Sequence, residues 1–146
     1  MPTLTVNKQA RFDYGIVETF DAGIELKGFE VKSVKNERVQ LTGSYVILRG
    51  NELWLVNADI SPYQTKNTPT DYDQKRSRRL LFTRKEIKYL AGKMKEERLT
   101  LVPIEMYTKG TLIKIKIGLA RSRKRFDKRE LIKKRETERE LRRAIK

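Results

Sequence analysis

The chemistry open to this chain rests on cations and carboxylates, because two of the usual reactive side chains are missing. No cysteine occurs among the 146 residues, which removes thiol nucleophiles, disulfides and sulfur-ligated zinc. There is no histidine either, so imidazole cannot serve as acid, base or metal ligand. The nearest approach to a carboxylate cluster is Asp21, Glu25 and Glu30, and no motif spacing ties these to a metal or a nucleophile. Walker-type, Rossmann and zinc patterns are absent as well. An enzyme is therefore not expected, and neither is a cofactor or a metal.

The cations point elsewhere. Lys and Arg number 34 against 19 Asp and Glu, a formal charge of +15, far more than solubility requires. A polyanionic partner follows, although RNA, DNA and an anionic membrane face would all satisfy such an excess. Residues 121–146 hold 13 basic and 5 acidic residues, whereas 1–120 hold 21 and 14, so the charge is concentrated at the end. Arg121, Arg123, Lys124 and Arg125 place four cations within five residues. They repel one another unless phosphates screen them. The plain alternative, a solubilising appendage, is the weaker reading. Lys114 and Lys116, with Arg76, Arg78 and Arg79, form a second basic group whose spacing suits a phosphate-binding face and a solvated sheet face equally. Phe12, Tyr14 and Tyr45 could stack a base, yet aromatics in strands are more often core, and the pattern favours core.

These side chains need elements to hold them. Phe12 to Phe20 puts Phe12, Tyr14, Ile16 and Phe20 on one face of a first strand. Asp21 then caps a short helix stopped by Gly28, and Phe29 to Val34 follows as a strand with Phe29 and Val31 opposite Glu30 and Lys32. Gly50-Asn51 joins Tyr45–Arg49 to Leu53–Val56 as a hairpin, and Trp54 is expected in the core. Residues 61 to 79, with Pro62, Pro69 and little periodicity, read as a long mobile loop. Thr83-Arg84-Lys85-Glu86 matches a capping box before a helix with Ile87, Leu90, Ala91 and Met94 on one face. Leu99 to Tyr107 and Thr111 to Leu119 form a hairpin about Lys109-Gly110. In its second strand Ile113, Ile115 and Ile117 alternate with Lys114 and Lys116, giving an apolar inner and a basic outer face.

The expected fold is mainly β: a small closed barrel of about six strands with short flanking helices over 1–120, followed by a basic tail over 121–146. Too few apolar residues occur in the tail to bury a face, so alone it should be disordered. An Asp127 cap and the spacings Glu130 to Lys134 and Glu138 to Arg142 would support a helix once a partner is bound. No stretch approaches the ~18 apolar residues of a spanning helix, the N-terminus lacks a signal pattern, and the tail lacks a face that would insert into lipid. A soluble cytoplasmic protein with no membrane partner is expected.

The chain also resembles a known family, the SsrA-binding proteins (SmpB), from about Val6 to Glu136. Seven ordered blocks carry the resemblance: Asn7-Lys8 with Ala10-Arg11 and Tyr14; Phe20-Asp21-Ala22-Gly23; Gly28-Phe29-Glu30-Val31-Lys32-Ser33; Ser44-Tyr45-Val46; Arg76-Ser77-Arg78-Arg79-Leu80-Leu81; Lys114-Ile115-Lys116-Ile117-Gly118-Leu119-Ala120; and Asp127-Lys128-Arg129. The resemblance implies an OB-like barrel that binds the tRNA-like domain of tmRNA, delivers it with elongation factor Tu to stalled ribosomes as a monomer, and catalyses nothing. It implies RNA contact at Asn7, Asp21, Leu81 and Lys114, and with these Lys8, Arg11, Tyr14, Arg76, Arg78 and Lys116 are expected to line the RNA-binding site. The tail residues Arg121, Arg123, Lys124, Arg125, Asp127, Lys128, Arg129, Lys133, Lys134 and Arg135 would act at the small-subunit decoding region. Three positions depart from the family's usual residues: Phe12 where histidine is common, Ser122 where glycine is common near the start of the tail, and Glu37 where glycine is usual after Val34. The rival reading is a structural ribosomal protein, also a small basic barrel with an extension.

Overall fold

The computed structural model describes residues 2–64, 66, 68–122 and 133–140. Along the chain these form β1 (Thr3–Val6), α1 (Lys8–Asp13), β2 (Tyr14–Ile24), α2 (Gly28–Lys35), β3 (Val39–Gln40), β4 (Tyr45–Arg49), β5 (Glu52–Val56), β6 (Asp59–Ile60), β7 (Arg78–Leu81), α3 (Arg84–Glu96), β8 (Thr100–Lys109) and β9 (Leu112–Ser122). Residues 133–140 are helical and exposed throughout.

One antiparallel sheet dominates, in the order β1-β8-β9-β2-β7-β5-β4, with β3 and β6 paired separately. Its inner face gathers Ala22, Leu53, Leu55, Leu80, Leu101, Met106, Ile115, Ile117 and Leu119 into one core, joined by Val34 of α2 and Leu90 of α3. The sheet curls until β4 packs against β8, but no hydrogen-bond ladder joins the two edges among the described residues. The expected closure is thus not reached, and the described strands outnumber the six expected. β1 was missed because four residues, TLTV, form a half-exposed edge with little pattern.

Strand alternation in β9 and a bulge in β2 decide which side chains face the core. On β9, Ile113, Ile115 and Ile117 face inward while Lys114 and Lys116 face out, as the alternation requires. A bulge at Val17 then switches the faces of β2: Tyr14 and Ile16 lie outside opposite Ser122 and Ala120, whereas Phe20 lies inside opposite Ile117. That extra residue separates Tyr14 and Ile16 from Phe20, which were expected on one face, and Phe12 lies outside the strand, in α1. Tyr14 and Ile16 pack with Ala10, Val102 and Ala120 in a second, outer cluster under α1. The first strand also begins later than expected, because Asn7 caps α1: its Oδ1 accepts from the Ala10 amide at 3.2 Å.

The segment 21–35 is the main correction. Asp21 to Gly23 continue β2, and the helix lies instead at Gly28–Lys35. Phe29 and Val31 suggested alternation, but the buried residues are Glu30, Ser33 and Val34, spaced as one side of a helix. A buried glutamate hid that period. Trp54 is corrected too: Leu53 and Leu55 point into the core, and Trp54 lies half-buried on the outer face between Ile47 and Arg79. The capping box of α3 forms as expected, with Glu86 N to Thr83 Oγ1 at 3.2 Å and Thr83 N to Glu86 Oε1 at 3.0 Å. β9 runs through Ser122, paired with Tyr14, two residues beyond the expected domain limit at 120.

Candidate nucleic-acid interface

The outer face of β8-β9-β2-β7 gathers side chains that lie far apart in sequence. Directly opposed residues of an antiparallel pair share a face. Tyr107, Lys114, Gly23 and Leu81 therefore form one row across four strands, and Glu105, Lys116 and Asp21 form the next. Gly23 has no side chain to shield its neighbours, and a Cβ there would lie 3.1 Å from Leu81 Cδ1. Leu81 leans over that gap and stays 47% exposed, an unusual state for a leucine at the middle of a folded sheet face.

Polar contacts set the charge of this face. Tyr107 donates its hydroxyl to Asp21 Oδ1 at 2.6 Å, and burial together with that carboxylate pushes the phenol up to about 12. The tyrosine therefore stays a neutral donor that orients Asp21, which itself remains exposed. Lys116 pairs with Glu105 at 3.3 Å. Lys114 has no ion-pair partner among the described residues, which makes its ammonium the free cation of the two rows. Lys8 and Arg11 lie exposed on α1, and Tyr14 is half-buried beneath it. Tyr107 and Glu105 were missed by sequence reasoning, since only the register brings them beside Asp21 and Lys116.

Three expected contact residues turn out to do internal work. Asn7 is 2% exposed, and its side-chain amide donates to the carbonyls of Leu41 at 3.3 Å and Pro103 at 3.0 Å while capping α1. Direct RNA contact by Asn7 is corrected on that ground: its polar atoms are used and buried. Arg78 is fully buried, donating through Nε to Glu30 Oε2 at 2.9 Å and through Nη1 to the Ala58 carbonyl at 2.8 Å. It is corrected for the same reason. Arg76 donates to both oxygens of Glu30, Nε to Oε2 at 3.2 Å and Nη2 to Oε1, and stays partly exposed, so it shares with Arg78 a single carboxylate. Tyr72 completes the cluster, hydrogen-bonded to Glu30 Oε2 at 2.9 Å and accepting from Arg78 Nη2 at 3.1 Å.

Burial alone would raise the Glu30 carboxyl. Hydrogen bonds from Arg76, the Lys27 amide and Arg78, with the charge of Arg78, outweigh it and hold the group at about 2. Burial and the hydrogen bond to Glu30 push Tyr72 up to about 12. The loop expected to be mobile is consequently pinned from Tyr72 onward, and Gln74 accepts from both the Ile60 amide at 3.1 Å and Arg78 at 3.0 Å.

In the tail, Arg121 is exposed at the end of β9, and Lys133, Lys134 and Arg135 are exposed on the 133–140 helix. Arg135 stands with its guanidinium carbon 5.9 Å from the centre of the Phe12 ring, within cation–π range. Arg123, Lys124, Arg125, Asp127, Lys128 and Arg129 lie outside the described residues. Among the described residues no cluster of acidic side chains could hold a metal, and no helix is long and apolar enough to cross a membrane.

Comparison with known proteins adds to this geometry. A family model described as SmpB protein matches residues 4–146. The SsrA-binding protein of Gloeothece citriformis is 48% identical over 143 residues, covering 98% of this chain and 92% of its own. That of Trichodesmium erythraeum is 48% identical over 140 residues, covering 96% and 90%. A solved structure of tmRNA-SmpB, concerned with the centre of the bacterial ribosome, matches with a TM-score of 0.69 and 39% identity over 90% of this chain and 95% of that one.

Proposed function

This chain belongs to the SmpB protein family, and from that premise we propose that it is an RNA-binding adaptor, which binds the tRNA-like domain of tmRNA and delivers it to stalled ribosomes for trans-translation. The observation that carries this reading is the pair of outward rows, Tyr107, Lys114, Gly23 and Leu81 beside Glu105, Lys116 and Asp21. A structured RNA is recognised by its backbone, its 2′-hydroxyls and its unstacked bases. Each has a counterpart here. Lys114, with Lys8 and Arg11, meets phosphates; the exposed carboxylate of Asp21 accepts from a hydroxyl or a base amine; Leu81 gives apolar contact to a sugar or base edge. Tyr14 supports α1 from below and acts through it.

The curled sheet serves as the OB-like binding unit, and no covalent step takes place on it. The tail acts at the small-subunit decoding region, where rRNA phosphates would engage Arg121, Lys133, Lys134 and Arg135. Elongation factor Tu joins through the RNA rather than through this chain, which works as a monomer in the cytoplasm. Sequencing the RNA recovered with the protein from a native lysate tests the reading. One dominant tRNA-like species is expected. Recovery of ribosomal RNA alone, in one-to-one ratio with salt-washed ribosomes, would instead favour a structural ribosomal protein.

A further inference from the structure

A second feature lies away from the two rows, at the start of α2. A cleft of about 370 Å³ is lined by Gly28, Phe29, Lys32, Tyr63 and Gln64. Its two aromatic walls are held in place by different means. Phe29 meets Tyr72 edge to face with ring centres 4.8 Å apart, and Tyr72 is itself tied to Glu30 and Arg78. Tyr63, 37% exposed, is steadied by Arg38, whose guanidinium carbon lies 5.6 Å from the ring centre and whose Nη1 donates to the Pro62 carbonyl at 3.2 Å. Between the walls, Gly28 and Lys32 share one side of α2, four residues apart. Nothing lies within 4 Å of where a Gly28 side chain would begin. A side chain at this position of the cleft lining would begin in open space.

We propose that this cleft is a nucleotide subsite that takes one unstacked RNA base between Phe29 and Tyr63 with its phosphate on Lys32. The volume is of the order that a single nucleotide needs, at the lower end of small-ligand sites. Stacking is tolerant of sequence because every base offers a π-face. The surrounding charge suits a phosphate: Lys27, Lys32 and Lys35 lie on or beside α2 and Arg38 just beyond it. The two walls are preorganised, so little side-chain freedom is lost on binding. The proposal rests on the protein being an RNA binder, and it assigns to α2 a contact separate from the Lys114 rows.

The test uses the full chain and a short single-stranded RNA containing one 2-aminopurine, whose fluorescence is quenched when the base stacks. Wild type should bind and quench it. Tyr63→Ala removes one exposed wall, and Gly28→Leu fills the cleft from a position with room for it; each should weaken binding about tenfold and abolish the quench. Circular dichroism and melting temperature report whether either variant is misfolded. Lys114→Ala should leave the quench intact while weakening binding of a tRNA-like hairpin. Quenching and affinity unchanged in both folded cleft variants would overturn the proposal. Tight binding of the tRNA-like hairpin with no binding of the probe would also overturn it while leaving the proposed function standing. Quenching of the probe without any binding of the hairpin would support the cleft and defeat the proposed function instead.

Discussion

Replacing Glu30 by Gln should cost this protein about 3 kcal/mol at neutral pH and almost nothing near pH 2. Glu30 and Arg78 are both fully buried, and Arg78 keeps a full charge at any accessible pH. Without the carboxylate that charge is left uncompensated, a loss typically of about 3–5 kcal/mol. Protonation gives an independent figure. The carboxyl is lowered from 4.5 to about 2, and each unit is worth about 1.4 kcal/mol, so the charged form stabilises the fold by about 3 kcal/mol. The sign follows from the depressed value. The folded state holds its proton less tightly than the unfolded chain, so this contribution is complete above pH 4.5 and is lost as pH falls toward 2. Urea unfolding of both proteins across that window, followed by far-UV circular dichroism, isolates the effect, because other carboxylates titrate equally in each. The gap between the two should close as pH falls. A gap below about 1 kcal/mol at pH 7, or one that stays constant down to pH 2, would refute the view that Glu30 is the ionised counter-charge of Arg78.

Four other outcomes are expected. Lys114→Ala should leave thermal stability unchanged while weakening tRNA-like RNA binding, with the slope of log K against log salt reduced by about 0.7–0.9; an unchanged slope would make Lys114 an ordinary surface residue. Asn7→Ala should cost about 2 kcal/mol in urea unfolding, from the lost cap and two orphaned carbonyls, with RNA affinity of the folded protein preserved. Removing residues 123–146, beyond the last β9 residue paired in the sheet, should preserve melting temperature and tmRNA affinity but abolish peptide tagging in a reconstituted stalled-ribosome assay. Glu37 holds φ at 61°, so Glu37→Gly should relieve left-handed strain and raise stability by about 0.5 kcal/mol in the same urea assay.

Much of the local structure was legible in the chain. The α3 capping box, the turns at Gly50 and Gly110, both with φ near 60°, and the inward isoleucines of β9 all follow from contacts between residues a few positions apart. Such features need no knowledge of distant neighbours, so pattern and propensity suffice. The class of partner was equally legible, since an excess of cations acts at long range whatever the fold.

The roles of individual charges were not legible, because a side chain's role depends on what lies opposite it. Arg76, Arg78 and Arg79 look alike in sequence. In the fold, Arg78 is sealed against Glu30, Arg76 shares that carboxylate from the rim, and Arg79 spans Glu25 and Glu52 at the outer face. Lys114 and Lys116 differ as well, since among the described residues only Lys116 has an ion-pair partner, Glu105, through a register set by a bulge in β8 between Pro103 and Glu105. Composition and local periodicity by themselves determined that the chain is a basic, mainly β protein with short-range caps and turns. Tertiary structure alone decided which cations are buried and which face outward, because burial and cross-strand register are fixed by residues tens of positions away.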